Sequence, residues 1–307
     1  MKALISPTAL LAMAFVGCPA TAQDPESGDG DGPRIEASAA IGRDVVPPDV
    51  VDITAVQDRI ETVARGGVRI GYELGDTLID FGAGIEVFPE ESLYNRYRLE
   101  TGVLQEIALT GDRDWRLRLG ASYEYVLGDE GRVYDRPRAD VQLVRRWSPT
   151  NTTIGRVRYG YRNQTERRFV GYDQSEWLLE LRHAWRPGNG ATYLSITALG
   201  DFHDADDDRF SYDGYGVRLS GRTPLGGRFT GRGTFALIQR DYEDPFSGLY
   251  PFAREDTDVQ ATLGVEYLLD SGIALFAEGG YRDNASNIPT RDYSGFIGQL
   301  GVRYVPD

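Results

Sequence analysis

The feature that most constrains this chain is strict two-residue alternation over residues 115–127, WRLRLGASYEYVL. Successive side chains of an extended strand point to opposite faces. One face therefore holds Trp115, Leu117, Leu119, Ala121, Tyr123, Tyr125 and Leu127, and the other holds Arg116, Arg118, Gly120, Ser122 and Glu124. Soluble strands average about five or six residues, whereas roughly 9 to 11 tilted residues cross a bilayer. The segment predicts a membrane-spanning β-strand.

The same alternation recurs along the chain. Thirteen segments show it, at residues 68–74, 79–87, 97–109, 115–127, 139–147, 153–161, 177–185, 194–202, 215–223, 229–237, 259–267, 273–281 and 296–304. A short turn at Gly75-Asp76 follows the first of them. Because short turns of membrane barrels lie on the periplasmic side, this first segment runs inward, and an earlier strand must bring the chain to the outer side of the membrane. The weaker alternation at residues 35–41 supplies that strand.

The connections between these segments also alternate in length. Short ones are predicted at residues 75–76, 111–114, 148–152, 187–190, 224–227 and 270–272, and long ones at 128–135, 164–173, 203–214, 243–256 and 283–293. Short periplasmic turns and long outer loops are typical of outer-membrane barrels. We therefore predict an all-β fold, a transmembrane antiparallel up-and-down β-barrel of about 14 strands over residues 34–307, with both termini in the periplasm.

The tryptophans support this topology independently, because aromatic residues concentrate at membrane interfaces. Trp115, Trp147 and Trp185 fall beside short turns, and Trp177 falls near a long loop. These positions predict two aromatic belts, one at each membrane interface.

The N-terminal region has a different character. Residues 1–22 combine a basic Lys2, an apolar run and small residues at Ala20 and Ala22, which predicts a secretory signal peptide cleaved near Ala22. Cys18 lies in a faint lipoprotein-like sequence, so lipidation is an alternative to a discarded signal. Residues 23–33 are acidic and glycine-rich and predict a disordered leader. Residues 53–64 predict a short helix, either packed in a loop or acting as a lumen plug.

The charge of the chain argues against nucleic acid as a partner, and the placement of its charged residues distinguishes a barrel from a soluble sandwich. The net charge of −14 makes nucleic acid an unsuitable partner, because an acidic surface repels phosphate. A large soluble β-sandwich is the alternative fold, and it would point the charged strand faces outward. Long strands, asymmetric connections and a signal peptide together favour the barrel.

The charged strand faces cannot contact lipid and are expected to line a lumen. The predicted lumen-lining residues that would set selectivity are Arg116, Arg118, Glu124, Arg138, Asp140, Arg156, Arg158, Glu180, Arg182, Arg218, Arg232, Glu266 and Glu278. The same pattern places Arg69, Glu73, Asp80, Glu86, Asp258 and Arg303 inward. Nearly all basic residues are arginines, which stay charged and pair with carboxylates in bidentate fashion.

The last hairpin carries a family resemblance. Asn284, Ser286, Asn287, Tyr293 and the ending LGVRY at residues 300–304 resemble the ends of bacterial outer-membrane β-barrel proteins. These include the fourteen-strand barrel domain of surface lipoprotein assembly modifiers and porin-like barrels encoded near polysaccharide-export genes. Such barrels commonly end on an aromatic residue that the barrel-assembly machinery recognises, whereas residues 305–307 follow Tyr304 here.

Two groups of residues are candidates for chemistry. Asp201 and His203 share a strand face and are similar to the dyad of omptin proteases, for which Asp256 and Asp258 would be the facing carboxylates. The acidic residues Asp204, Asp206, Asp207 and Asp208 could hold a cation loosely, but Arg209 occupies the position where a calcium loop needs glycine. We predict neither an enzyme nor a resident cofactor or metal.

The function predicted from these features is a passive or gated pore for small hydrophilic, anionic or saccharide solutes, selected by rings of charge. The expected location is the outer membrane of a Gram-negative bacterium. The expected partners are outer-membrane lipid, lipopolysaccharide and the barrel-assembly machinery. Alternatives are an export or secretion partner for surface polysaccharide or lipoprotein, and a structural or adhesive barrel acting through acidic outer loops.

Overall fold

The computed structural model describes residues 33–46, 60–166, 173–188, 191–269 and 272–304, which form a closed barrel of 14 antiparallel strands. The strands are β1 Pro33–Val45, β2 Ile60–Leu74, β3 Thr77–Val87, β4 Arg96–Ala108, β5 Trp115–Gly128, β6 Gly131–Ser148, β7 Asn151–Gln164, β8 Gln174–Trp185, β9 Tyr193–Ala205, β10 Tyr212–Gly226, β11 Phe229–Pro245, β12 Ala253–Leu268, β13 Ile273–Ser286 and β14 Tyr293–Tyr304. The predicted fold class and strand number are confirmed.

Each strand pairs with its neighbours in the chain, and β1 closes the barrel against β14. That seam runs from Ala37 opposite Tyr304 to Arg43 opposite Gly298. Pro33 lies opposite Tyr72, so the chain enters the barrel at the end that carries the Gly75-Asp76 turn. We call this the short-turn end, and the opposite rim the long-loop end. Both ends of the described barrel wall lie at the short-turn end, as predicted.

The outer face of the barrel is apolar around its circumference. Large hydrophobic side chains that alternation places outward remain exposed, among them Ile70, Phe81, Leu99, Leu119, Leu143, Leu179, Leu219, Leu263, Leu275 and Leu300. Such a continuous apolar band is unfavourable in water and suits the hydrocarbon of a bilayer. No helix among the described residues is long and apolar enough to cross a membrane.

Aromatic residues sit at both edges of this band. At the short-turn end Trp147 and Trp185 are exposed, and the Arg145 guanidinium lies 5.0 Å from the Trp115 ring and 5.1 Å from the Trp147 ring. At the other edge Trp177 lies 4.8 Å from the Tyr159 ring. The tryptophans thus occupy the two belts that the sequence predicts.

The interior is largely polar, and its apolar packing is local. Val46, Val63 and Phe88 are buried together at the long-loop end, and Tyr94 packs against them. Phe88 meets Tyr94 edge-on with ring centroids 6.4 Å apart. This cluster packs the inner side of the long-loop rim around β1 to β3.

Two sequence predictions are wrong in detail. The helix predicted at residues 53–64 is a strand over residues 60–64, because that segment pairs with both β1 and β3 and this pairing overrides its local helical period. Residues 53–59 lie outside the described residues. The long loop predicted at residues 128–135 is instead a tight turn, since β5 and β6 extend as far as Gly128 and Gly131.

The predicted signal peptide at residues 1–22 lies outside the described residues. The predicted leader does as well, except that Pro33, its last residue, is the first residue of β1. These two assignments remain predictions.

Gly42 is required by the seam between β1 and β14. A Cβ atom at Gly42 would lie 2.0 Å from the Gly298 carbonyl oxygen, which is backbone that cannot move without opening the seam. At Gly155 on β7, a Cβ atom would have no neighbour within 4 Å. The barrel therefore depends on glycine at position 42 and does not depend on it at position 155.

We expect Gly42→Val to prevent most of the chain from folding, because overpacking costs about 1–3 kcal/mol even where neighbours can shift. Gly155→Val is the matched control and is expected to fold normally. The measurement is the heat-dependent shift in gel mobility of the folded barrel. Equal folding of both variants would contradict this account of the seam.

Candidate functional site in the barrel interior

Strand alternation brings all thirteen predicted lumen residues to the inner face. Arg116, Arg118 and Glu124 are buried, each with 2% exposure. The other ten are partly buried: Arg138, Asp140, Arg156, Arg158, Glu180, Arg182, Arg218, Arg232, Glu266 and Glu278. Their part in selectivity remains a prediction. Their burial shows that the charged strand faces pack against each other within the barrel.

A first group of charges surrounds Glu106, near the short-turn end. Its carboxylate lies 2.8 Å from Arg118 Nε, 3.5 Å from Arg116 Nη1 and 3.1 Å from Arg113 Nη2. Arg113 also contacts Asp76, at 2.7 Å, in the neighbouring turn. Glu106 therefore joins two strands and a turn through one carboxylate.

A second group surrounds Glu124 in the outer half of the barrel. Its oxygens lie 2.8 Å from Arg98 Nε, 2.5 Å from Arg136 Nη2 and 3.4 Å from Arg138 Nη2. Arg138 also contacts Glu100, at 2.8 Å. These ion pairs cross β4, β5 and β6, so Glu124 holds three guanidiniums from two flanking strands.

Glu176 extends this network to β7 and β8. It lies 2.9 Å from Arg136 and 2.7 Å from Arg162, so Arg136 bridges the carboxylates of Glu124 and Glu176. The ring of Tyr134 lies 5.6 Å from the Arg136 guanidinium and 5.0 Å from that of Arg162. Carboxylates and aromatic rings together restrict the motion of these arginines.

Further ion pairs connect the remaining interior. Arg156 lies 3.2 Å from Asp140 and 3.4 Å from Glu180. Across the barrel, Glu266 lies 2.8 Å from Arg232 and 3.2 Å from Arg303. Most predicted lumen charges are therefore paired with each other. Pairing and residual water together make so many charges tolerable inside the barrel.

Arginines outnumber carboxylates on one side of the interior. The inner positions of β4 to β8 carry Arg96, Arg98, Arg116, Arg118, Arg136, Arg138, Arg146, Arg156, Arg158, Arg162 and Arg182. The carboxylates there are Glu100, Glu106, Glu124, Asp140, Glu176 and Glu180. This side of the lumen therefore carries positive charge that its own carboxylates do not balance.

Several of these residues are missing from the sequence prediction. Arg136, Arg162 and Glu176 lie just beyond the predicted ends of their strands, in short stretches predicted neither as strand nor as loop. Extending the alternation from Arg138 back to Arg136 would have found one of them. The sequence offered no sign that their side chains converge on common partners, because those contacts join residues from different strands.

A cavity of about 420 Å³ opens among these strands in the outer half of the barrel. Its charged lining consists of Arg98, Arg136, Arg158, Arg162, Glu176 and Asp201. Arg158 differs from its neighbours, since within the described part of the chain its guanidinium makes no ion pair or side-chain hydrogen bond. The cavity thus exposes at least one uncompensated guanidinium to solvent.

The predicted Asp201 and His203 pair forms at the edge of this cavity. His203 Nε2 lies 3.2 Å from Asp201 Oδ1, and its Nδ1 lies 2.8 Å from Gln174 Oε1. Tyr212 donates to Asp201 Oδ2 at 3.0 Å and stacks on the His203 ring. All polar atoms of this histidine are engaged by these partners.

The facing carboxylates that an omptin-like site requires are already bound. Asp256 pairs with Arg254, and Asp258 lies 2.6 Å from Arg282. Asp256 and Asp258 therefore do not form a free carboxylate pair that could activate water. The arrangement accordingly provides charged surfaces and hydrogen-bond donors, and we assign it no covalent chemistry.

In the acidic connection between β9 and β10, one of the aspartates pairs with an arginine of the same connection. Asp207 caps a short 3-10 helix at Asp208–Phe210 and binds Arg209. The hydrogen bond from Arg209 holds the pKa of the Asp207 carboxyl below its ordinary value. Within the described ranges, no group of three or more His, Cys, Asp or Glu residues is arranged to hold a metal ion.

No protein-family model matches the chain, and no curated protein matches it in sequence. Among solved structures it is similar to a loop L8 deletion mutant of OmpT, an outer membrane protein of Vibrio cholerae, with a TM-score of 0.48, 11% identity and coverage of 89% of this chain and 98% of that one. It is also similar to the outer membrane channel DcaP of Acinetobacter baumannii, with a TM-score of 0.48, 12% identity and coverage of 89% of this chain and 96% of that one. A bacterial polysaccharide outer membrane secretin has a TM-score of 0.49, 8% identity and coverage of 89% of this chain and 98% of its own. These neighbours are bacterial outer-membrane β-barrel proteins, and the likeness concerns the fold alone.

We expect Glu124→Gln to destabilise the barrel by about 3–5 kcal/mol. The change leaves the Arg98 guanidinium without a carboxylate partner among the described residues, and it removes one of two carboxylates from Arg136 and from Arg138. Asp76→Asn is the control, since both side chains of its ion pair with Arg113 are about half exposed and such pairs contribute about 0–1 kcal/mol. Reversible urea unfolding in lipid vesicles measures both. Equal losses would show that the buried network does not stabilise the fold.

Proposed function

We propose that the protein forms a passive or gated pore for small hydrophilic solutes, and that the pore prefers anions. The observation that carries the proposal is the excess of arginine over carboxylate on the inner face of β4 to β8, inside a barrel whose outer face is apolar. Rings of fixed charge select permeating ions by sign without chemical reaction.

The proposal must account for the net charge of −14 of the whole chain. Part of that charge lies on exposed connections, as at Asp129, Glu130 and Asp206 to Asp208, where salt screens fields over roughly 8 Å at physiological ionic strength. Charges within a narrow lumen are screened less, because water and counter-ions are fewer there. The interior charge is therefore expected to determine the sign of the selected ion.

Two further arginines support an anion path toward the short-turn end. Arg182 on β8 and Arg218 on β10 flank Thr197 of β9 on the inner face. Within the described ranges, neither makes an ion pair or a side-chain hydrogen bond. Their charge is available to a permeating anion, unlike that of Arg116 or Arg118.

The proposal includes a location in the outer membrane of a Gram-negative bacterium, with the short-turn end in the periplasm. It also includes signal-peptide cleavage near Ala22, insertion by the barrel-assembly machinery, and contact with outer-membrane lipid and lipopolysaccharide. The apolar band and the two aromatic belts support the membrane location.

Planar-bilayer recording tests the pore directly. The purified chain is inserted into a bilayer separating unequal KCl concentrations, and the reversal potential is measured. We expect discrete conductance steps and a reversal potential with the sign of chloride preference. Absence of conductance in every condition would contradict the pore, and a potassium preference would contradict the proposed selectivity.

Variants locate the selectivity in the lumen. We expect the double variant Arg182→Gln, Arg218→Gln to lower the chloride-to-potassium permeability ratio by roughly twofold or more, since it removes two unpaired lumen charges. Arg145→Gln is the matched control, because Arg145 lies on the outer face between Trp115 and Trp147. An unchanged ratio in the double variant would exclude these arginines from the path.

A further inference from the structure

The cavity in the outer half of the barrel has an unbalanced charge. Four arginines and two carboxylates line it, and Glu124, just outside the lining, pairs with Arg98 and Arg136. The arginines around the cavity therefore still outnumber these carboxylates by one. We propose that this cavity is a saturable binding site for a small dianion, such as a dicarboxylate or a phosphate. The inference rests on the proposed function, since it identifies the solute class that an anion-selective lumen would bind.

Arg158 is the residue that most directly points to a ligand. It pairs across the sheet with Asp140 on β6 and with Leu178 on β8, and Leu178 pairs in turn with Asp201 on β9. Neither carboxylate binds Arg158, because Asp140 binds Arg156 and Asp201 binds His203 and Tyr212. A guanidinium has five N–H donors in a planar fork that matches carboxylate and phosphate oxygens. Arg158 can therefore offer two parallel hydrogen bonds to an anion in the cavity.

The neighbouring arginines are held in place before any anion arrives. Glu176 binds both Arg136 and Arg162, and Tyr134 lies against the same two guanidiniums. Arg162 still has a buried Nε without a hydrogen-bond acceptor among the described residues. A preorganised site loses little side-chain entropy on binding, which favours affinity for a small ligand.

The aromatic residues argue against a ligand bound by stacking. Arg136 and Arg162 lie against Tyr134, while His203 stacks on Tyr212 at 4.4 Å. Arg240 also lies 5.7 Å from the Tyr212 ring. With the rings engaged by protein groups, recognition depends on charge and hydrogen bonds. A compact dianion fits this chemistry better than a neutral sugar.

The size of the cavity agrees with a compact ligand. Its volume of about 420 Å³ is many times the roughly 10–15 Å³ that a single water molecule needs on the same measure. A four-carbon dicarboxylate or a hydrated phosphate fits in this space and still leaves room for bridging waters, which bind anions and arginines well.

Isothermal titration calorimetry on the purified full chain in detergent tests the site without requiring conduction. The probes are succinate and inorganic phosphate at a pH where phosphate is mainly dianionic, with acetate as the monoanion. We expect saturable binding of one or both dianions, at least tenfold tighter than acetate. Equal affinity for succinate, phosphate and acetate, or no saturable binding of either dianion, would overturn the proposal.

One variant and one control assign the binding to this cavity. Arg158→Gln should weaken dianion binding by at least tenfold, because it removes the guanidinium that makes no ion pair within the described residues. Arg222→Gln is the control, since Arg222 lies near the short-turn end of β10 and makes no ion pair within the described residues. Unchanged binding in Arg158→Gln, with Arg222→Gln also unchanged, would place the site elsewhere.

The pore and the site can fail separately. Conductance with chloride preference but no saturable dianion binding would overturn the site and leave the pore. Saturable binding that Arg158→Gln abolishes, in a protein without conductance, would support the site and overturn the pore.

Discussion

The structure depends on one constraint, which is that backbone N–H and C=O groups in hydrocarbon need partners within the protein. A closed sheet satisfies this need for every strand, and here the seam between β1 and β14 completes it. Closure then has a second consequence. Alternation sends one set of side chains to lipid and the other to an enclosed interior, so each strand must be apolar on one face and polar on the other.

The interior meets this requirement with arginine and carboxylate in place of a hydrophobic core. Glu106, Glu124 and Glu176 each bind several guanidiniums and connect their strand to those beside it in the barrel wall. Such shared carboxylates hold the arginines in defined positions, which gives the lumen a fixed charge pattern. The surplus arginines, Arg158, Arg182 and Arg218, are the ones that the proposed pore would offer to solutes. The groups that stabilise the barrel and those that would select an anion therefore share the same inner face.

Much of this fold was predictable, and the errors have physical causes. Residues 115–127 predicted a spanning strand because a period of two persists there longer than soluble strands need, and β5 has those bounds to within one residue. The helix predicted at residues 53–64 failed because pairing with β1 and β3 decides the conformation of residues 60–64. The loop predicted at residues 128–135 failed because turn-forming residues do not reveal how far a hairpin extends beyond the membrane.

The sequence by itself determined the fold class, the strand number, the direction of each strand and the face of the charges that lie within the predicted strands. These follow from local alternation, turn spacing and the cost of charge in lipid. Only the tertiary structure decided which charges are neutralised. Glu176 and Arg136 are forty residues apart in the chain and 2.9 Å apart in the barrel, and Arg158 is left unpaired because its neighbours on adjacent strands bind other partners. Ion pairing depends on the register between strands and on how far side chains reach around the closed wall, and the local alternation of residues predicts neither.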